Sequence, residues 1–361
     1  MAATVFITRK FPPSVGGMET LAKDVWATLS AGAATPTFLV AHGGSNLLLP
    51  LWLPRATFRL LVLVLRGKVD FVLLGDVVLH ILLAPLLRVL GVRYATMAMG
   101  KDIIWNRSWY QRLVLRALPR ASDVLANSSA TAAAAVTAGT PADRVHVVRL
   151  GVEDPQVDRH EAAVASAALR RRLGVGDDAL VVLTLGRLVR RKGVVWFLRS
   201  VLPHLPKNVV YLVAGEGVDA PRVRTSVEEL GLQDRVHLLG RVSDEEREQL
   251  MRGADVFVQP NIQVPGDMEG FGLVAVEAAM RGSLVVAASL EGLRDAVVDG
   301  ETGVLLPSGD PDAWTRRLSD LAADRTATRE LAARFQLQCR ERYARENMGR
   351  ELCRVLGIPV R

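Results

Sequence analysis

The chain has 361 residues, half of them hydrophobic and 23% charged, with a formal net charge of +7 at pH 7. That length suits two ordinary domains, and the composition supports packed cores rather than a disordered chain. Its two cysteines, Cys339 and Cys353, are too few for a disulfide framework or a cysteine metal cluster, and they fit a reducing, cytoplasmic setting.

Met1 leads straight into TVFIT, which reads as a first strand, so no secretory signal is expected. The uncharged run Val25–Pro54 is broken by SAGAATP and HGGSN. No continuous apolar run of roughly 18 residues survives, which argues against an integral membrane protein. Between Arg55 and Arg120, eleven basic residues stand against three acids, a local excess of eight. The same region carries the runs LLVLVL and ILLAPLL. A basic surface attracts nucleic acid or anionic lipid, and aliphatic rather than aromatic neighbours favour lipid.

In chain order, the first half predicts strands at Thr4–Thr8, Thr37–Ala41, Phe71–Leu74, Tyr94–Met97, Asp123–Ala126 and His146–Arg149. The second half predicts strands at Leu180–Leu185, Val209–Ala214, Val236–Leu239, Val256–Gln259, Ser283–Ala287 and Gly303–Leu306. Apolar runs without polar alternation, separated by helical patterns, predict α/β architecture with parallel sheets covered on both faces. Two doubly wound domains are expected, with ligands at the carboxyl ends of their strands. Val152–Asp178, which holds Pro155 and LGVGDD, reads as the connection, and Ala323–Leu356 as closing helices.

Three stretches carry candidate chemistry. After the first strand, RKFPPSVGGMETLAKDVW places Gly16 and Gly17 before a helix starting near Met18. This is either an anion cradle at a helix N-terminus or an ordinary turn. In GRLVRRKGVVWFL, Arg187 and Lys192 lie at a strand's carboxyl end and suit a phosphate, while Arg190 and Arg191 read as surface residues. The alternative there is a solvated basic loop. In GDMEGFGLVAVEAAMRG, Gly270 and Gly272 open a helix Leu273–Arg281 whose first-turn amides face an anion. Glu277, on the alanine-rich part of that helix, needs a donor. It meets either ribose hydroxyls or a nearby arginine.

Taken in order, GGME, VLANSSATA, VVRLGVE, GRLVRRKG, LVAGEG, RVSDEE and EGFGLVAVEAA resemble the retaining GT-B glycosyltransferases of family 4, also known as glycosyl transferases group 1, from Phe11 to about Pro307. The resemblance implies two Rossmann-like domains facing each other across a cleft. Residues 1–153 would be the acceptor side and 154–340 the nucleotide-sugar side, with 341–361 a helix returning towards the first domain. It implies that Arg187 and Lys192 hold the donor's pyrophosphate, that Gly16 and Gly17 cradle it, and that Glu269 contacts the transferred sugar. Glu277 would grip the ribose, the amides of Phe271, Gly272 and Leu273 would add phosphate and sugar contacts, and Arg241-Val242 would lie near the base. The implied reaction is metal-independent, needs no cofactor, and moves a sugar from a nucleotide donor, by preference a UDP-sugar, to a sugar, lipid-linked, polysaccharide or small-molecule acceptor.

The sequence departs from the family where His-Gly-x-Asp is common. AMGKDIIW puts Met99 in the histidine's place, either as an apolar wall near the sugar or as a space-filling side chain. The stretch Arg107–Arg120 spaces Arg112, Arg116 and Arg120 at i, i+4 beside Trp109, Leu113 and Leu115. It is either a contact for an anionic membrane surface, with a peripheral location at the inner face, or a solvated helix. A GT-B scaffold without turnover, acting as a binding protein, is the competing function. No nucleic-acid partner is expected, because no basic–aromatic interleaving, zinc or helix-turn-helix signature is present.

Overall fold

The protein is described by a computed structural model covering residues 3–14, 16–105 and 107–359. The chain divides into two compact units, Met1–Val152 with Tyr343–Arg361, and Glu153–Arg342.

The first unit holds strands β1 (Ala3–Thr8), β2 (Thr37–Ala41), β3 (Val69–Leu74), β4 (Arg93–Ala98), β5 (Val124–Ala126) and β6 (Val145–Val147). They form a six-stranded parallel sheet in the order β2-β1-β3-β4-β5-β6. Its helices are α1 (Gly17–Gly32), α2 (Leu49–Leu65), α3 (Val77–Val89), α4 (Gly100–Ile104), α5 (Ser108–Ala117) and α6 (Ser129–Thr137).

The second unit holds α7 (Arg159–Leu173), β7 (Leu180–Leu185), α8 (Val194–Ser200), β8 (Val209–Ala214), α9 (Ala220–Glu229), β9 (Val236–Gly240), α10 (Asp244–Gly253) and β10 (Val256–Gln259). After these come α11 (Leu273–Met280), β11 (Leu284–Ala288), α12 (Leu293–Ala296), β12 (Val304–Leu306), α13 (Pro311–Ala323) and α14 (Arg325–Tyr343). Helix α15 (Arg345–Leu356) returns to the first unit. The second sheet is also six-stranded and parallel, in the order β12-β11-β10-β7-β8-β9.

All twelve expected strands form, with ends displaced by at most two residues. Their apolar runs have a simple cause. The inner strands β1, β8, β10 and β11 are buried at every position, while the edge strands β2, β6, β9 and β12 are only partly so. A parallel strand with helices on both faces has no wet side on which to place polar residues.

The expected connection Val152–Asp178 holds the boundary between the two units, after Val152, and also helix α7, opened by a capping box in which the Asp158 carboxylate accepts from the Glu161 amide at 2.8 Å. Gly174, at φ 68°, ends it. The run of arginines masked an amphipathic pattern whose inner face rests against α10. Within the first unit, α15 packs on α1, Arg345 pairs with Asp24 at 2.8 Å, and Val152 bridges to Ala344. No helix among the described residues is long and apolar enough to cross a membrane.

Candidate active site

In the second sheet the chain runs outward from β7 through β8 to β9, then resumes on the other side of β7 with β10. The connections from the carboxyl ends of β7 and β10 therefore diverge, and a doubly wound sheet opens its binding crevice at such a switch point. The candidate residues collect there.

After β7 the chain makes a single 3-10 turn, Arg190–Lys192, ended by Gly193 at φ 68°. A Cβ on Gly193 would collide with the Pro260 carbonyl oxygen, so glycine lets this turn press against the end of β10. The Ile262 amide donates to the Arg191 carbonyl at 2.9 Å and ties the two segments together. Lys192 and Arg191 are thereby buried and directed at Glu269, whereas Arg187 stays exposed.

Glu269 is the centre of the cluster. Its Oε2 lies 2.6 Å from the Lys192 ammonium and accepts from the Arg191 guanidinium. The side-chain amides of Gln259 and Asn261 each donate to the same oxygen at 3.1 Å. Its backbone N–H donates to the Glu291 carboxylate at 2.6 Å, and its carbonyl accepts from Gly292 at 3.2 Å. Burial alone would raise the Glu269 pKa, but the charges of Lys192 and Arg191 and the donated hydrogen bonds outweigh it and hold the group at about 2. Burial also pulls the Lys192 pKa below its ordinary value, Glu269 opposes that, and the positive charges of Arg191 and Arg187 add to it. An anion arriving at this turn would relieve that repulsion.

The reading of Arg191 as a surface residue is wrong. Its guanidinium is buried between Glu269 and Asp267, the latter at 3.4 Å from Nε. A sequence cannot show which of three adjacent cations points inward. The tight turn decides it, and it turns Arg191 and Lys192 inward together.

The other candidates are divided between the two units. Helix α11 starts at Leu273 with Gly272 at φ 94° as its N-cap, and no side chain caps its first-turn amides. Phe271 is buried, and a Cβ on Gly272 would run into Leu293. Glu277 is half-buried and ion-paired with Arg247 of α10, the arginine alternative raised above. Arg241 and Val242 follow β9 at the sheet's edge, two strands from β7. Gly16 and Gly17 lie in the first unit at the start of α1, where the buried Glu19 carboxylate packs against Gly16 and pairs with Lys10 at 3.4 Å. The helix N-terminus there already has a carboxylate beside it. Met99 N-caps α4, and its sulfur accepts from Asn127 at 3.5 Å.

Sequence reasoning missed Gln259, Asn261, Asp267 and Glu291. The signal for the first two was present, because QPN puts two amides at the end of an otherwise apolar strand. Glu291 gave none, since nothing in the sequence marks the positive φ of 49° that it adopts.

The first unit gathers a second charged group at its strand ends. Arg9, after β1, pairs through Nε with Asp76 at 2.8 Å, and Asp76 also caps α3 by accepting from Leu79 at 3.0 Å. Asp102 lies nearby on α4, and its Oδ2 is buried without a hydrogen-bond partner among the described residues. Burial and the neighbouring Asp76 raise Asp102 from its ordinary 3.8 to about 7. Among the described residues, no group of three or more His, Cys, Asp or Glu is arranged to hold a metal ion.

Known proteins resemble this chain in sequence and in fold. Residues 166–342 match the family described as glycosyl transferases group 1. The D-inositol 3-phosphate glycosyltransferase of Xylanimonas cellulosilytica is 38% identical over 203 residues, covering 54% of this chain and 47% of that protein. The chain thus spans under half the length of that relative. A GDP-mannose-dependent alpha-(1-6)-phosphatidylinositol monomannoside mannosyltransferase of Mycolicibacterium smegmatis is 29% identical over 350 residues, covering 89% of both chains. Among solved structures, Anabaena Alr3699/HepE in complex with UDP aligns with a TM-score of 0.79 at 22% identity, covering 99% of this chain and all of that one. The sucrose-phosphate synthase of Thermosynechococcus elongatus aligns at 0.75 and 18% identity, with 98% of each chain covered. The fold is therefore GT-B, and residues 166–342, just under half of the chain, match the glycosyl transferases group 1.

Proposed function

We propose that the protein transfers a sugar from a nucleoside-diphosphate donor, by preference a UDP-sugar, to an acceptor hydroxyl with retention of anomeric configuration. One observation carries the reading: a basic turn whose inner cations share one buried carboxylate, at the switch point between β7 and β10, leaves the outer cation Arg187 exposed beside them. Breaking the bond between an anomeric carbon and a diphosphate oxygen puts negative charge on the leaving group. Fixed cations and uncapped helix amides stabilise that charge most in the transition state. Arg187 and Lys192 would meet the diphosphate, with amides of Phe271, Gly272 and Leu273 beside them. Glu269 would orient the sugar, and Glu277 would accept from ribose hydroxyls with the lone pairs Arg247 leaves free. The Gly16-Gly17 turn is proposed as a further anion contact of the first unit, and Arg241-Val242 as the wall beside the base.

Support comes from relatives whose names record glycosyl transfer, and from an aligned structure that holds UDP. The mannosyltransferase relative acts on a phosphatidylinositol glycoside by its name. That favours a lipid-linked acceptor, presented at an anionic inner membrane surface to which the basic helix α5 and Arg120 would turn.

The test is a thermal-shift and product-release screen across UDP-, GDP- and ADP-sugars, since a ligand that binds the native state raises its midpoint. One donor should stand out and release nucleoside diphosphate. Arg187→Ala should lower turnover roughly 100-fold while changing stability by no more than about 0.5 kcal/mol. Donor binding without release would favour the non-catalytic scaffold. No binding by any nucleotide sugar would defeat the proposal.

A further inference from the structure

Helices α2, α3 and α5 form one layer on one face of the first sheet. Ala56 and Leu60 of α2 share a core with Leu79, Leu83 and Leu87 of α3, and Tyr110 and Val114 of α5 share another with Val77. With the inner faces so fixed, the outer faces can be read off. On α2, Leu51, Phe58 and Leu65 recur every seven residues and are 62%, 69% and 78% exposed. They make one continuous stripe, since two turns of helix bring a side chain back to nearly the same direction. Leu82 and Val89 of α3 repeat the spacing, and Trp109, Leu113 and Leu115 of α5 are exposed as well.

Beside the α2 stripe runs a row of cations, Arg55, Arg59 and Arg66, each exposed. Arg55 donates only to the carbonyl of Leu51 in its own helix, and among the described residues no carboxylate pairs with any of the three. None of the three helices contains an acidic residue, and none occurs anywhere between Asp24 and Asp70. A soluble helix normally turns its charged face to water and its apolar face inward. Here α2 is apolar inward and apolar-with-arginine outward.

We propose that the outward face of the α2–α3–α5 layer is a docking surface for an anionic lipid bilayer, with the leucine and phenylalanine stripe of α2 entering the headgroup boundary and its arginines meeting lipid phosphates. The inference rests on the reading of the acceptor as a membrane lipid, and it adds α2 and α3 to the α5 contact named above. Charge selects the occupant. A second copy of this chain would bring the same acid-free arginine rows together, and like charges across an interface repel. An interfacial helix instead combines an apolar stripe with flanking cations, and each cation near an anionic surface adds to binding. At 17 residues α2 is about 25 Å long, enough to lie along such a boundary.

The test is co-sedimentation of the full chain with phosphatidylcholine vesicles, with and without phosphatidylglycerol. Wild type should pellet with the anionic vesicles and be largely released by 0.5 M salt, roughly a threefold rise over physiological ionic strength. The pair Phe58→Glu with Leu65→Glu, and separately the set Arg55→Ala, Arg59→Ala and Arg66→Ala, should each weaken partitioning at least about tenfold. Because these side chains are exposed, unfolding midpoints should match wild type. Equal binding to neutral vesicles, or no loss in either variant, would overturn the proposal. So would concentration-dependent self-association that Phe58→Glu abolishes, which would assign the face to a second copy. Nucleotide-sugar binding without vesicles separates the two readings, since it should be unchanged in both variants, and its absence in wild type would remove the glycosyl-transfer reading alone.

Discussion

At the carboxyl end of the second sheet, Glu269 is met by two cations and two side-chain amides and held at about 2. At the carboxyl end of the first, Asp102 has its neighbouring guanidinium already engaged by Asp76 and is pushed to about 7. Both carboxyl groups are removed from water, so burial acts on each in the same direction. What differs is the number of donors within reach. Four donors to one oxygen turn a buried acid into a fixed anion, while none at Asp102 Oδ2 among the described residues leaves an acid that keeps its proton near neutrality. The second unit has thus built a rigid charged floor, and the first has kept a carboxyl whose charge can change.

Removing the floor's centre should have the largest effect. Glu269→Ala leaves Lys192 and Arg191 without their shared carboxylate, and a buried charge stripped of its partner costs about 3–5 kcal/mol. Urea unfolding should show that loss. Replacing the pair together, Glu269→Leu with Lys192→Met, should recover part of it, because two apolar side chains need no partner. A loss in the single variant of under about 1 kcal/mol, the scale of an exposed pair, would show that the floor is not buried in solution.

The first unit should respond to pH with the opposite sign. Asp102 has a folded pKa above its unfolded value, so between pH 3.8 and about 7 the folded chain holds a proton that the unfolded chain has released. Its contribution is therefore present at low pH and lost as pH rises through that window, with a slope of no more than about 1.4 kcal/mol per pH unit. Asp102→Asn should remove the slope. Glu269, held low, contributes stability that is lost only as pH falls from its ordinary range towards 2. Unfolding midpoints measured between pH 4 and 7.5 in wild type and Asp102→Asn test this, and parallel curves would show that Asp102 is solvated.

The contrast also explains what was legible in the sequence. Strands declared themselves because apolar runs such as Leu180–Leu185 and Val209–Ala214 have no other stable use than a sheet covered on both faces. Glycine-broken strand ends pointed to the carboxyl ends of the strands for the same local reason. The partners of the candidate residues were not legible. Glu269 meets Arg191 from 78 positions away and Gln259 from ten, and those meetings depend on where Gly193 lets the chain approach β10. The direction of each side chain in RRK and the capture of Glu277 by Arg247 are tertiary facts. Outward stripes are of the same kind. Leu51, Phe58 and Leu65 look like core at the level of sequence, and only the packing of α2 shows which of its two apolar faces is spent.

The smallest expected effect bears on whether Glu277 serves structure or ligand. Its ion pair with Arg247 joins α10 to α11, with both side chains partly exposed, so Arg247→Ala should cost at most about 1 kcal/mol. If Glu277 accepts from ribose hydroxyls, removing Arg247 leaves that acceptor in place, and the donor KM should change less than about threefold. Glu277→Ala would remove hydrogen bonds to a charged group, worth about 1.5–3 kcal/mol, and should raise the donor KM roughly 10- to 100-fold at an unfolding midpoint close to that of Arg247→Ala. Matching KM values in the two variants would mean that the carboxylate works only as a brace between helices. The ribose would then have to be held from the β9 edge, where Arg241 is the exposed candidate.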